Sequence, residues 1–145
     1  MTKRVLVPLD VETTEDILPL VAMLATRGAT VRLIHVAPAP GAVVTSEGRT
    51  VAYADQETDR VQALWSDLLQ STAVRLPGDV DHVVRFGDPA SEILSEAEAF
   101  DADTIALTTG TRSSMKRALL GSVAEAIMRR ARIGVLLYRP PADRG

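Results

Sequence analysis

Apolar residues fall into two kinds of run along the chain, and the two kinds alternate. RVLVPLD at 4–10, TVRLIHVAP at 30–38, VDHVVRF at 80–86, DTIALTT at 103–109 and IGVLLYRP at 133–140 are short and rich in Val, Ile and Leu, as strands are. Between them the apolar positions recur at helical spacing. Ile17, Val21, Leu24 and Ala25 do so in ILPLVAMLATRGA, and Val61, Leu64, Trp65 and Leu68 in ADQETDRVQALWSDLLQSTA at 54–73. ASEILSEAEAF at 90–100 and VAEAIMRRA at 123–131 are two further predicted helices.

Polar and special residues punctuate these runs. Thr13 or Thr14 suits the start of the first helix, where Glu15 and Asp16 complement its positive end. Pro19 is awkward there unless it lies in the first turn, and Gly28 is a natural stop. PAPGAVVTSEGRTVAY at 38–53 has no clear period and is the longest predicted loop. Pro77-Gly78 ends the second helix. Asp88 is placed to cap the third helix with Pro89 as its first residue. Ser122 followed by Glu125 reads as a capping box for the fourth, whose negative end carries Arg129, Arg130 and Arg132.

Strands that alternate with helices predict an α/β fold, a single doubly wound domain over 1–145 with a parallel sheet of five strands and helices on both faces. Nearly continuous apolar strands such as VLVPL and GVLLY agree with burial on both faces. Ligands of such folds bind beyond the C-terminal strand ends at a topological switch point. That rule points to Asp10, the end of the second strand near Val36, and the segment Thr108–Ser122.

Composition narrows the chemistry. The chain has no cysteine, which excludes disulfides, thiol catalysis and zinc–thiolate sites. Its two histidines, His35 and His82, sit in predicted strands and read as strand residues more than as metal ligands or catalysts. Aromatics are only 3%, which argues against stacking platforms for single-stranded nucleic acid. No run approaches a membrane span, and the N-terminal apolar run is broken by Pro8 and Asp10, so no membrane role and a cytoplasmic location are expected. The net charge of −3 is unevenly placed: residues 1–110 carry 8 Lys/Arg against 17 Asp/Glu, and residues 111–145 carry 8 against 2. A small basic region on an acidic chain suits a small anion better than a nucleic-acid backbone.

VLVPLD, LIHV, FGDPASEI, KRALLGSVAEAIMRRA and the terminal VLLYRP together resemble the universal stress protein family over nearly the whole chain. LLGSVAEAIMRRA is the most specific piece. The resemblance implies strand order 3-2-1-4-5 and a homodimer through the last strand, 133–139. Nucleotide-binding members are similar to one another in G-x2-G-x9-G-[S/T]. Anchored on Gly121-Ser122, the motif puts its second glycine at Thr111 and its first at Thr108. Gly110 is present but out of register. Glycine is used where φ is positive or a ligand nears the backbone, so the loop either takes another path or cannot cradle a triphosphate in the family's way.

Other positions implied by the resemblance are kept. Pro8, Leu9 and Asp10 stand at adenine and ribose contacts, Val36 flanks the adenine, and Leu107 and Val123 supply apolar or backbone contacts. Thr108, Thr111, Arg112, Gly121 and Ser122 complete the candidate set at the phosphates. Asp10 reads almost equally well as a turn or capping aspartate, and Arg112, Lys116 and Arg117 as solvated loop charges.

Two functions follow: a dimeric module that holds ATP, with Mg²⁺ if bound, in a stress response, or a dimeric interaction protein of the same family with no nucleotide. An enzyme ranks below both. P-loop and nucleophile-elbow motifs are absent, and no residue stands out as a general base, which leaves at most weak ATP hydrolysis. An unpaired IGVLLYRP edge would be a liability that pairing with a copy across a two-fold axis removes.

Overall fold

The structure, a computed structural model, describes residues 3–39, 51–108 and 121–141. Nine elements follow in chain order: β1 Arg4–Pro8, α1 Thr14–Thr26, β2 Thr30–Ala37, α2 Val51–Ala73, β3 Val80–Phe86, α3 Pro89–Phe100, β4 Thr104–Thr108, α4 Ser122–Arg130 and β5 Gly134–Tyr138. The strands form one parallel sheet in the order β3-β2-β1-β4-β5. The expected α/β architecture and strand order are therefore the observed ones.

Successive strand residues point to opposite faces. Val5 and Val7 of β1 and Val31 and Leu33 of β2 pack under α1 and α2, with Ile17, Val21 and Leu69. Leu6, Ile34, Ile105 and Leu107 face α3 and α4, with Ile93, Phe100 and Ile127. Each such fully buried aliphatic side chain contributes about 1.5–3 kcal/mol relative to an exposed one. None of the five residues of β5 is fully buried, so it is a thinly covered edge strand.

The local chemistry explains the element ends. Asp88 caps α3, its carboxylate accepting from the Ser91 backbone N–H at 3.0 Å, and Pro89 opens the helix. α1 ends in a Schellman turn: Gly28, at φ 96°, donates to the Ala25 carbonyl and Ala29 to that of Leu24. α3 closes the same way without a glycine, since Asp101 takes φ 58° while Ala102 donates to Ala97.

Four expectations change. α2 starts at Val51, inside the predicted 38–53 loop, whose residues 40–50 lie outside the described ones. Its inward face carries Leu69, Thr72 and Ala73 with Trp65, whereas Leu64 and Leu68 are exposed. Pairs at i, i+4 centred on Leu64 and on Trp65 fit the sequence equally well, and only contact with the sheet selects the second. Pro19 lies in the second turn of α1, on its exposed side, where the helix accommodates it past the first turn. The capping box does not form: Gly121 is the N-cap of α4, and Ser122 is its first helical residue.

Candidate functional site

The chain order reverses between β1 and β4, so their C-terminal ends and the start of α4 frame the switch point. Pro8 ends β1, Leu9 and Asp10 follow it, Val36 lies near the end of β2, Leu107 and Thr108 end β4, and Gly121, Ser122 and Val123 begin α4. All nine therefore belong to one end of the sheet. Thr111 and Arg112 lie outside the described residues.

These nine residues have very different amounts of bonding capacity left. Leu9 is nearly spent. Its side chain is buried among the α1-side core, its N–H donates to the Ile34 carbonyl at 2.8 Å, and its own carbonyl meets His35 Nδ1 at 2.8 Å. A carbonyl can only accept, so Nδ1 carries the proton. The His35 ring is half-buried and stacks on Trp65 with centroids 3.4 Å apart and planes 11° from parallel. Burial pushes the His35 imidazole below its ordinary value, against the opposing pull of the Leu9 carbonyl and the Asp10 charge. This His35–Trp65 stack is the feature beside the site that the sequence pattern misses. Both residues read as ordinary strand and helix positions, and no spacing rule joins them.

Asp10 is a turn residue first. Its Oδ1 accepts from the Glu12 N–H at 2.9 Å, the Thr13 N–H at 2.8 Å and the Thr13 hydroxyl at 3.0 Å. The Thr13 hydroxyl accepts in turn from the Asp10 N–H at 3.1 Å, and the Thr14 hydroxyl donates to the Asp10 carbonyl at 2.6 Å. Thr13 thus starts α1 without a side-chain cap of its own, because Asp10 holds the turn. Among the described residues its Oδ2 makes no hydrogen bond, and the residue is exposed.

The two motif positions inside the described residues behave simply. Thr108 is an extended β4 residue paired with Tyr138, a conformation that suits a β-branched side chain and demands no glycine. Gly121 has φ −66° and ψ 161°, ordinary for any residue, and a Cβ there would meet nothing within 4 Å among the described residues. Beyond it the first turn of α4 offers the N–H groups of Ser122, Val123 and Ala124, which have no partner among the described residues, with Glu125 N–H already bonded to the Gly121 carbonyl at 3.0 Å. Val36, Leu107 and Val123 add an apolar wall on the α4 side of the sheet. Chemically this end offers an apolar surface, a free carboxylate oxygen and a helix N-terminus. Among the described residues no group of three or more His, Asp or Glu could hold a metal, and no helix is long and apolar enough to cross a membrane.

Comparison with known proteins bears on the same region. Over a stretch of 55 residues the chain is 42% identical to universal stress protein MJ0531 of Methanocaldococcus jannaschii, which is 38% of this chain and 32% of that one. Over 146 aligned residues it is 29% identical to universal stress protein G of Shigella flexneri, covering 96% of this chain and all of that one. Among solved structures it is similar to the hypothetical protein MJ0577, with TM-score 0.80, 24% identity and 99% of both chains covered. Two further similar folds were solved with nucleotides. One is a universal stress protein in complex with cAMP, with TM-score 0.59, 16% identity, and 95% and 97% covered. The other is the universal stress protein of Archaeoglobus fulgidus in complex with dAMP, with TM-score 0.55, 22% identity, and 93% and 96% covered. The family model of the universal stress proteins matches residues 1–139, and this chain belongs to the universal stress protein family.

Proposed function

We propose that this chain is a small homodimeric stress-response module of the cytoplasm that binds an adenine nucleotide, ATP with Mg²⁺, beyond the ends of β1 and β4. The observation that carries the proposal is Gly121. Its backbone angles do not need glycine, and no described atom occupies the space its missing side chain leaves. Glycine suits the N-cap position, and here it also leaves room for close approach of a ligand to the backbone. That approach would occur at the first turn of α4, where free N–H groups and the helix dipole favour phosphate. Asp10 Oδ2 then serves the ribose hydroxyls, and Val36, Leu107 and Val123 the base. Complexes of similar folds with cAMP and dAMP support an adenine nucleotide as the class of ligand. A binding role, with no catalytic step, is what these residues support.

The test begins with protein purified without added nucleotide, denatured, and analysed by mass spectrometry for what it releases. Calorimetry with Mg-ATP follows on wild type, Gly121→Ala and Ser122→Glu. The glutamate suits a helix N-terminus by about 0.3–1 kcal/mol, so the fold should hold while phosphate is repelled. Micromolar binding that both variants weaken supports the reading. No release and no heat at millimolar ATP rejects it.

A second reading is an interaction protein without nucleotide, and the exposure of β5 favours it as far as the dimer is concerned. The outer edge of β5 is unpaired among the described residues, and Leu136 on that strand is 38% exposed. Pairing with a copy across a two-fold axis would cover both. Sedimentation velocity giving a monomer at micromolar concentration would reject the dimer under either reading.

A further inference from the structure

The peptide that joins Leu9 to Asp10 is held at both of its polar ends. Its carbonyl oxygen accepts from His35 Nδ1–H at 2.8 Å, and its N–H donates to the Thr13 hydroxyl at 3.1 Å. That hydroxyl donates in turn to Asp10 Oδ1 at 3.0 Å, and Oδ1 also accepts from the N–H groups of Glu12 and Thr13. The Asp10 carbonyl takes the Thr14 hydroxyl at 2.6 Å and the Thr14 N–H at 3.2 Å. Among the described residues, Oδ2 is the atom of this carboxylate left without a hydrogen bond.

All of these bonds except that of His35 lie within residues 10–14, so they stiffen the turn without fixing how it is set on the sheet. His35 comes from β2, where the Ile34 carbonyl already accepts from the Leu9 N–H at 2.8 Å. With Leu9 anchored by that bond, the freedom that remains is rotation of the planar Leu9–Asp10 peptide, and the His35 bond stops it. The imidazole is held in its turn by Trp65 of α2, whose ring lies 3.4 Å away and 11° from parallel. His35 faces away from the apolar wall of the site. Its ring packs with Trp65 on the α1–α2 side of the sheet, and Val36, next along β2, packs on the other side.

We propose that His35 is a positioning residue that aims Asp10 Oδ2 at the sugar, and so makes this end of the sheet select a ribose with free hydroxyls over a sugar without them. This specificity rests on the nucleotide site proposed above. A carboxylate oxygen only accepts, and the ribose hydroxyls are the donors it needs, whereas a dideoxyribose has neither. Aiming Oδ2 before the ligand arrives removes the cost of ordering it afterwards. A hydrogen bond to a charged acceptor aimed in this way favours the ribose by about tenfold or more. A carboxylate free to swing loses most of that preference, while the contacts to base and phosphate stay as they were.

The experiment is calorimetry of the full chain with Mg-ATP and with its 2′,3′-dideoxy analogue, for wild type, His35→Phe and His35→Asn. His35→Phe keeps a ring for Trp65 to stack on but has no Nδ1–H, and the asparagine amide returns a donor near the Nδ1 position. Wild type should favour ATP over the analogue by about tenfold or more. His35→Phe should weaken ATP until the two nucleotides bind nearly alike, with the analogue unchanged, and His35→Asn should restore part of the preference. Loss of both nucleotides together in His35→Phe would mark a merely structural histidine and overturns the proposal. So does a preference that survives in the folded variant. Thermal melts verify folding. Should His35→Phe not fold, Trp65→Leu, which frees the ring and leaves the histidine, is decided by the same two outcomes. Wild type that binds both nucleotides alike overturns the ribose specificity alone. Wild type that binds neither at millimolar concentration rejects the nucleotide site itself, and the role of His35 with it.

Discussion

The imidazole of His35 lies flat against the indole of Trp65, ring centroids 3.4 Å apart, while its Nδ1–H donates to the carbonyl of Leu9. One side chain thus ties α2, β2 and the end of β1 together, next to the turn that Asp10 holds. Because Trp65 is the only tryptophan, its fluorescence reports this junction alone.

That arrangement sets a pH dependence. Burial lowers the folded-state value of His35 below 6.5, so the unfolded chain takes up the proton first as pH falls. Stability from this residue is present above 6.5 and is lost as pH drops from there through the lower folded-state value. Trp65 emission should change over that lower range, and the urea midpoint should fall with it. His35→Phe, which keeps a ring but no proton, should flatten both curves. An emission change centred above 6.5 would contradict the burial.

Glu96 is the hub of a second cluster. Its side chain is 7% exposed and bridges Arg32 at 2.6 Å and Arg85 at 2.8 Å. Arg32 also pairs with Asp81 and lies 4.3 Å from the Phe100 ring centroid, and Arg85 pairs with Glu92. The carboxylates hold both guanidinium groups above their ordinary value, Asp81 foremost for Arg32 and Glu92 for Arg85. Glu96→Ala leaves two half-buried cations short of a partner, and breaking such a pair costs about 3–5 kcal/mol. Urea unfolding of the variant measures it, and a loss below about 1 kcal/mol would mean that the pairs behave as surface ones.

Asp101 is the one described residue other than glycine with positive φ, at 58°. It closes α3 where glycine is the usual choice. Asp101→Gly should stabilise by about 0.5–1 kcal/mol, since the left-handed strain outweighs the added freedom of the unfolded chain. Asp101→Val should destabilise instead. Thermal melts of the two variants should move in opposite directions.

Asp10 accepts three hydrogen bonds through Oδ1, so its removal acts on the fold before it acts on any ligand. Asp10→Ala should cost about 0.5–2 kcal/mol, as loss of a capping side chain does. Asp10→Asn keeps an acceptor oxygen for the turn and should cost less. Comparing nucleotide affinity in the asparagine variant with its melting temperature separates the two roles.

Much of this was legible in the sequence because it is local. The strand runs, the helical spacing, the Asp88-Pro89 start of α3 and the Gly28 stop depend on residues within a few positions of one another. So does the end of the sheet where a ligand would sit, since parallel strands joined by helices admit few topologies. The resemblance supplied the strand order, which local pattern alone does not reach.

The misreadings are of one kind. On α2, Leu64 and Leu68 looked as inward as Trp65, and only packing against the sheet chose the Trp65 face. At α4, Ser122 looked like a cap, yet the chain enters the helix one residue earlier. His35 looked like any strand residue until α2 laid Trp65 across it, from 30 positions away in sequence. The sequence by itself determined the elements, their order and the sheet end at the switch point, because these rest on short-range spacing and chain connectivity. Tertiary structure alone decided which flank of α2 is buried, and that Leu9 and Asp10 Oδ1 are already bonded. Each of those depends on which distant side chains the packed sheet brings within bonding distance.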